Sequence, residues 1–222
     1  MNLEEIAEKY KTDKRFLEHN YIPYYEKYFS NIRENKLKIL EIGIYRPNPN
    51  SGREVAASLK TWYDYFPNAE IYGVDLTDFS DVENDRIKTI ICNQGIRENS
   101  NEYPGLETII ENFGNEFDII IDDGGHTMQQ QQVTLGYMFK YLKPGGIFVI
   151  EDLHTSVMAL NAYNPTNSKI TTLSLLNDLV TTKKVTSDFM TEEEMVYLNN
   201  HIKTCEIFKA NISEISFIVK ND

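Results

Sequence analysis

Short runs of apolar and β-branched residues recur at positions 37–44, 70–76, 86–92, 117–121 and 146–150. Each run is continuous rather than alternating, the pattern of a strand covered on both faces, and each is too short for a buried helix. Between them the apolar positions spread to a helical period. Val55, Leu59, Trp62 and Phe66 share one face, and Leu135, Met138, Phe139 and Leu142 share another. Pro104 predicts the first residue of a helix running to Phe113, because the first turn has no use for its missing amide. Lys143-Pro144-Gly145-Gly146 predicts a helix stop and a turn into the fifth strand. Strands alternating with helices imply an α/β protein built on a parallel sheet.

Beyond residue 152 an Asn-rich loop (Asn161, Asn164, Asn167), in a position to contact substrate, precedes a helix over 170–180 with Leu173, Leu176 and Val180 on one side. Thr191 and Glu194 predict a capping box for a helix carrying Met195, Leu198 and Ile202. Two last strands, 205–210 and 214–219, are close enough in sequence to form an antiparallel hairpin. Seven strands result, mostly parallel, with helices on both faces. This pattern matches the Rossmann-like sheet of class I methyltransferases better than a six-stranded dinucleotide fold. Residues 1–222 carry no repeat, linker or low-complexity tract and read as one domain, with 1–36 a helical N-terminal segment.

The 222 residues, 41% of them hydrophobic and 12% aromatic, suffice for one core of this kind. Thirty-four Asp and Glu against 22 Lys and Arg give a net charge of -12, which disfavours nucleic acid and anionic membranes as partners. Cys92 and Cys205 lack metal-ligand spacing and are expected to be free thiols. An acidic start and the lack of any apolar run near 18 residues lead to the expectation of a cytoplasmic protein.

Ligands of open α/β sheets bind beyond the carboxyl ends of the strands. The first strand ends Leu40-Glu41-Ile42-Gly43-Ile44, where Gly43 is either a point of close backbone approach to a ligand or a turn glycine. Asp75, ending the second strand, suits a ribose diol or a simple strand-end cap, and Asn93-Gln94 after the third suit adenine or an ordinary loop. The densest chemistry is Asp122-Asp123-Gly124-Gly125-His126 together with Glu151-Asp152-Leu153-His154. If the fourth and fifth strands are neighbours, four carboxylates and two imidazoles meet at one sheet edge. Like charges so close need a cation, and oxygen ligands suit Mg²⁺ or another divalent ion. The competing reading makes Asp122 and Asp123 caps of the helix from Thr127, and Glu151-Asp152 loop salt bridges. His126 suits a general base at neutral pH or, as a lone histidine, a structural role. His201 reads as a surface residue, Trp62 as core, and Gln129 to Gln132 as an exposed or cleft-facing first turn. His19 and Tyr21, in an aromatic-rich segment, belong either to a lid or to a packed N-terminal helix.

These residues resemble the metal-dependent sugar O-methyltransferases that act on macrolide deoxysugars and on rhamnosyl groups. The likeness rests on Thr12-Asp13-Lys14 to His19-Asn20-Tyr21, Leu40-Glu41-Ile42-Gly43-Ile44, Ser58-Leu59-Lys60-Thr61-Trp62 with Tyr65-Phe66-Pro67, Ile121-Asp122-Asp123-Gly124-Gly125-His126 and Ile150-Glu151-Asp152-Leu153-His154. It implies S-adenosylmethionine as methyl donor and Mg²⁺ held by Asp123, Glu151 and Asp152, with His126 as base. It also implies Glu41, Gly43, Asp75, Asn93, Gln94 and Asp122 on the cofactor side. Asn93 stands where the family usually has Asp, Gly125 where it has Ser, and Tyr45-Arg46-Pro47-Asn48-Pro49-Asn50 where it has a more glycine-rich loop. The implied acceptor is a small-molecule or nucleotide-linked sugar, in natural-product or polysaccharide biosynthesis of a bacterium, and a homo-oligomer is compatible with the fold. Metal-dependent methylation of a catechol or other phenol, and a non-catalytic binding protein of the same fold, are the alternatives. A nicotinamide-dependent oxidoreductase fits less well, because the glycine fingerprint is missing.

Overall fold

The computed structural model describes residues 1–48, 50, 52–157 and 162–222. Pro49 of the first loop and Asn161 of the Asn-rich loop lie outside the described residues. Seven strands form one sheet: β1 (Lys38–Ile42), β2 (Glu70–Asp75), β3 (Ile87–Ile91), β4 (Phe117–Asp122), β5 (Leu142–Ile150), β6 (Ile202–Lys209) and β7 (Glu214–Lys220), in the order β3-β2-β1-β4-β5-β7-β6. The first five are parallel, and β7 runs antiparallel to both β5 and β6. The order reverses between β1 and β4, which opens a crevice at their carboxyl ends.

Alternate residues of the central strands serve two cores. Ile39, Ile119, Val149 and Phe217 face α1 (Leu3–Tyr10), α2 (Ile22–Phe29) and α3 (Ala57–Tyr65), where Leu3, Ile6, Tyr25 and Trp62 are buried. Leu40, Ile120, Phe148 and Ile218 face α4 (Glu107–Phe113), α5 (Met128–Met138), α6 (Thr172–Thr182) and α7 (Glu192–His201), through Ile109, Leu135, Leu176 and Leu198. With both faces covered, the strands carry the continuous apolar runs seen in the sequence.

The capping box at Thr191 and Glu194 is present as expected. Four local expectations are corrected. Pro104 lies ahead of α4, which begins at Glu107, and its carbonyl accepts a bond from the Asn93 amide at 2.8 Å. Residues 143–146 do not end a helix before the strand; they lie inside β5, as a bulge where the register with β4 shifts. Gln131 and Gln132 are fully buried: Gln131 donates to the Glu151 carbonyl at 3.0 Å and Gln132 to the Ile170 carbonyl at 2.8 Å. His201 is half-buried rather than on the surface, stacked on Tyr197 with ring centroids 3.9 Å apart.

Candidate active site

A cleft of about 300 Å³ lies over the carboxyl ends of the central strands, at the small end of the range for ligand sites. Gly43, Asp75, Gln94, Asp123, His126 and Asp152 line it, and Lys11, Thr12 and Asp13 close one side. Among the described residues Asp123, His126 and Asp152 form a group whose ligand atoms lie within 4.8 Å of one another, close enough to share one metal ion. The β4–β5 pairing that joins Asp122 to Ile150 is what carries the two motifs to the same edge.

The backbone at this edge is held in unusual shapes. His126 (φ +56°) and Asp152 (φ +55°) both occupy the left-handed region, which costs L-residues on the order of 1–2 kcal/mol each. The Thr155 hydroxyl ties them, lying 3.0 Å from both of their carbonyl oxygens. Thr127, not Asp122 or Asp123, caps α5: its side chain accepts from the Gln130 amide, and Gln130 reaches back to complete a capping box. The reading of the two aspartates as helix caps is therefore overturned, and their charge needs another account. Gly125 makes room for that box, since a Cβ there would lie 2.3 Å from the Gln130 Oε1. Gly43 (φ +96°) permits contact between strand ends, because a Cβ would lie 2.1 Å from the Asp123 carbonyl oxygen.

Around Asp152 gather three imidazoles. His126 Nε2 lies 3.3 Å from its Oδ2, His19 Nδ1 lies 3.1 Å from its Oδ1, and His154 Nδ1 is 3.9 Å from Oδ1. Tyr21, buried on the N-terminal segment, donates to Asp152 Oδ1 at 2.8 Å. The other ring nitrogen of His126 is buried with no partner among the described residues. Burial holds the His154 imidazole below its ordinary pKa, against the charge of Asp152.

Glu151 points elsewhere. Its Oε1 lies 2.8 Å from the ammonium of Lys14 and accepts a short bond from the Tyr25 hydroxyl. The same ammonium lies 2.5 Å from Asp123 Oδ2 and 3.7 Å from Glu41 Oε1, and both Lys14 and Glu41 are fully buried. Burial, reinforced by the charge of Asp123, raises the Glu151 pKa well above the usual carboxylate range despite Lys14. Burial likewise pushes Glu41 up to about 7. The sequence marks Lys14 only as part of the Thr12-Asp13-Lys14 landmark and assigns neither Lys14 nor Tyr25 a site role, since nothing in a linear lysine signals that it is buried among acids.

The cofactor-side residues divide. Asp75 lines the cleft, accepting bonds from the Ile44 amide at 3.0 Å and from Thr77; a carboxylate has further lone pairs for a diol. Gln94 lines it too, but braces the neighbouring loop: its amide donates to Asp122 Oδ1 at 2.8 Å and its oxygen accepts from the Gly125 amide at 2.7 Å. Glu41 and Asp122 are fully buried and are not among the residues that line the cleft. Burial pushes Asp122 up to about 6, and its Oδ2 has no partner among the described residues. Asn93 faces a different surface hollow and accepts from the Gly95 amide at 2.9 Å.

No protein-family model matches the chain. It is 34% identical over 183 residues to the mycinamicin VI 2''-O-methyltransferase of Micromonospora griseorubida, a match covering 81% of this chain and 43% of that protein. It is 34% identical over 183 residues to the demethylmacrocin O-methyltransferase of Streptomyces fradiae, covering 81% and 44%. It is also 37% identical over 157 residues to a Streptomyces olivaceus tetracenomycin-C rhamnosyl 3'-O-methyltransferase, covering 70% and 37%. The chain thus spans less than half the length of these curated relatives. Among solved structures, the MycE methyltransferase of the mycinamycin pathway, in complex with Mg, SAH and mycinamycin VI, superposes with a TM-score of 0.78 at 27% identity. That match covers 100% of this chain and 55% of the other. The chain has the class I methyltransferase fold, and its homologues are sugar O-methyltransferases of macrolide and tetracenomycin biosynthesis.

Proposed function

We propose that this chain transfers a methyl group from S-adenosylmethionine to a hydroxyl of a sugar or glycoside, using a divalent cation held by Asp123, Glu151 and Asp152 and His126 as general base. The observation that carries this reading is the convergence of Asp123, His126 and Asp152 within 4.8 Å at the mouth of the cleft. Asp123 is the acid common to two pairings that suit such a cation: it meets Glu151 on one positive atom, the Lys14 ammonium, at 2.5 and 2.8 Å, and it meets Asp152 within 4.8 Å on the side of His126. When bound, the cation supplies chelation of neighbouring acceptor hydroxyls and lowers the pKa of one of them.

The rest is done by the chain's own groups. Asp152, 3.3 Å from His126 Nε2, orients the imidazole, which takes the proton of the reacting hydroxyl. Gly43 brings the ends of β1 and β4 together at the floor of the cleft, and Asp75 offers acceptors for a ribose. Lys11, Thr12 and Asp13 line one wall of the cleft, and keeping water from it would favour a reaction in which charge is lost. The acceptor is a small molecule, free or nucleotide-linked, and the protein works in the cytoplasm; among the described residues no helix is long and apolar enough to cross a membrane.

His126→Ala tests the assignment of the base. Methyl transfer should fall by on the order of 10²–10⁴-fold while S-adenosylhomocysteine binding persists. A variant that keeps full activity contradicts the role given to His126, and full metal-dependent activity in Asp123→Asn contradicts the cation site.

A further inference from the structure

We propose that Lys14 is a built-in counter-cation of the carboxylate cluster, which holds Asp123 and Glu151 together before metal arrives and competes with the metal for them. The inference rests on the cation-site reading above. Its ground is a lysine that no water reaches: the Lys14 side chain is fully buried, 2.5 Å from Asp123 Oδ2, 2.8 Å from Glu151 Oε1 and 3.7 Å from Glu41 Oε1. These three acids stand at the carboxyl ends of β4, β5 and β1, three adjacent strands at the centre of the sheet. Glu41 and Glu151 are themselves buried, so without Lys14 the fold would gather like charges with no counter-charge. An ammonium offers three donors to acceptors arranged around it, and the Tyr25 hydroxyl adds one more to Glu151.

The same contacts link metal loading to the N-terminal segment. The Lys14 carbonyl accepts from the Tyr21 amide at 2.9 Å, and the Tyr21 hydroxyl donates to Asp152 at 2.8 Å. One short stretch of chain thus touches all three acids assigned to the cation. A divalent ion on Asp123 and Glu151 must draw them from Lys14, so Lys14 weakens metal binding while making the metal-free cluster tolerable.

Lys14→Met removes the charge and keeps most of the volume. In metal-free buffer with chelator, thermal unfolding of wild type, Lys14→Met, Glu151→Gln and the double variant forms a cycle. The expected result is a lowered midpoint for Lys14→Met, with at least half the loss regained when Glu151→Gln is added; additive losses overturn the counter-cation role. In calorimetry with Mn²⁺ alone, Lys14→Met should bind roughly tenfold or more tightly than wild type, since one positive charge has left the site. Unchanged or weaker binding overturns the competition. If Lys14→Met fails to fold in chelator, it should fold when Mn²⁺ is added, and a chain unfolded in both conditions overturns the inference. The cycle contains no metal, so a wild type that binds no Mn²⁺ contradicts the cation site and leaves the cycle to decide the role of Lys14.

Discussion

At the scale of single residues the site is a set of buried acids with few partners. Burial raises the Glu41 pKa from 4.5 to about 7, against the Lys14 ammonium 3.7 Å away. A carboxyl with a raised folded pKa contributes most at low pH, fully below its unfolded value near 4.5, and that contribution is lost as pH rises through about 7. Glu41→Gln cannot ionise, so its stability relative to wild type should rise between pH 5 and 8.5 by about 1–3 kcal/mol. Denaturant unfolding of both proteins across that range measures it, and parallel pH profiles would contradict the burial of a charge at this position. The sequence made Glu41, Asp122 and Glu151 visible as strand-end acids. It could not say that they are buried, because that depends on how helices pack over the sheet: α2 and α3 on the face of Glu41 and Glu151, and α5 on the face of Asp122. Asp123, His126 and Asp152 were legible because the β4–β5 pairing follows from the strand order.

At the scale of elements, local chemistry decides where the reactive groups point. Thr127 caps α5 at the residue after His126, and the capping box fixes where the preceding loop leaves the helix. Thr127→Ala should cost about 1 kcal/mol, a fall in midpoint of roughly 2–4 °C, with a larger loss of methyl transfer than of cofactor binding. Thermal melts and assays of one preparation check both, and unchanged activity would separate the cap from the placement of His126. The sequence offers Asp122 and Asp123 as caps of a helix from Thr127, and the Thr127–Gln130 capping box emerges only in the structure. The start of α4 was misread because Pro104 serves an earlier bend. The bulge within β5 was missed because Pro144, Gly145 and Gly146 look like a turn until the register against β4 is known.

For the whole molecule, the N-terminal segment is part of the core as well as cover for the cleft. Leu3 and Ile6 are buried against the α3 side of the sheet, and Arg53 pairs with both Glu18 and Asp13. The buried Leu3, Ile6 and Ala7 make α1 a packed N-terminal helix, and a lid over the cofactor is the competing expectation. Deleting residues 1–20 removes two large buried side chains, worth on the order of 3–6 kcal/mol, and Lys14 with them. The midpoint of unfolding should fall by on the order of 10 °C or more. A truncated chain as stable as the full one, with only weaker cofactor binding, would mean that the segment is a lid alone. The fold class and strand order were legible throughout, since continuous apolar strands and amphipathic helices carry them. The role of the first 36 residues was not, because it depends on contacts more than 100 positions away, such as Lys14 to Asp123.

The central claim is that the cleft at the β1–β4 crevice takes S-adenosylmethionine beside a cation site. Calorimetric titration of the full chain with S-adenosylhomocysteine, once with Mg²⁺ and once with chelator, tests it most directly. The account predicts saturable one-to-one binding with Mg²⁺ present. Folded protein that binds nothing in either condition would contradict it and reduce the likeness to the sugar O-methyltransferases to one of fold.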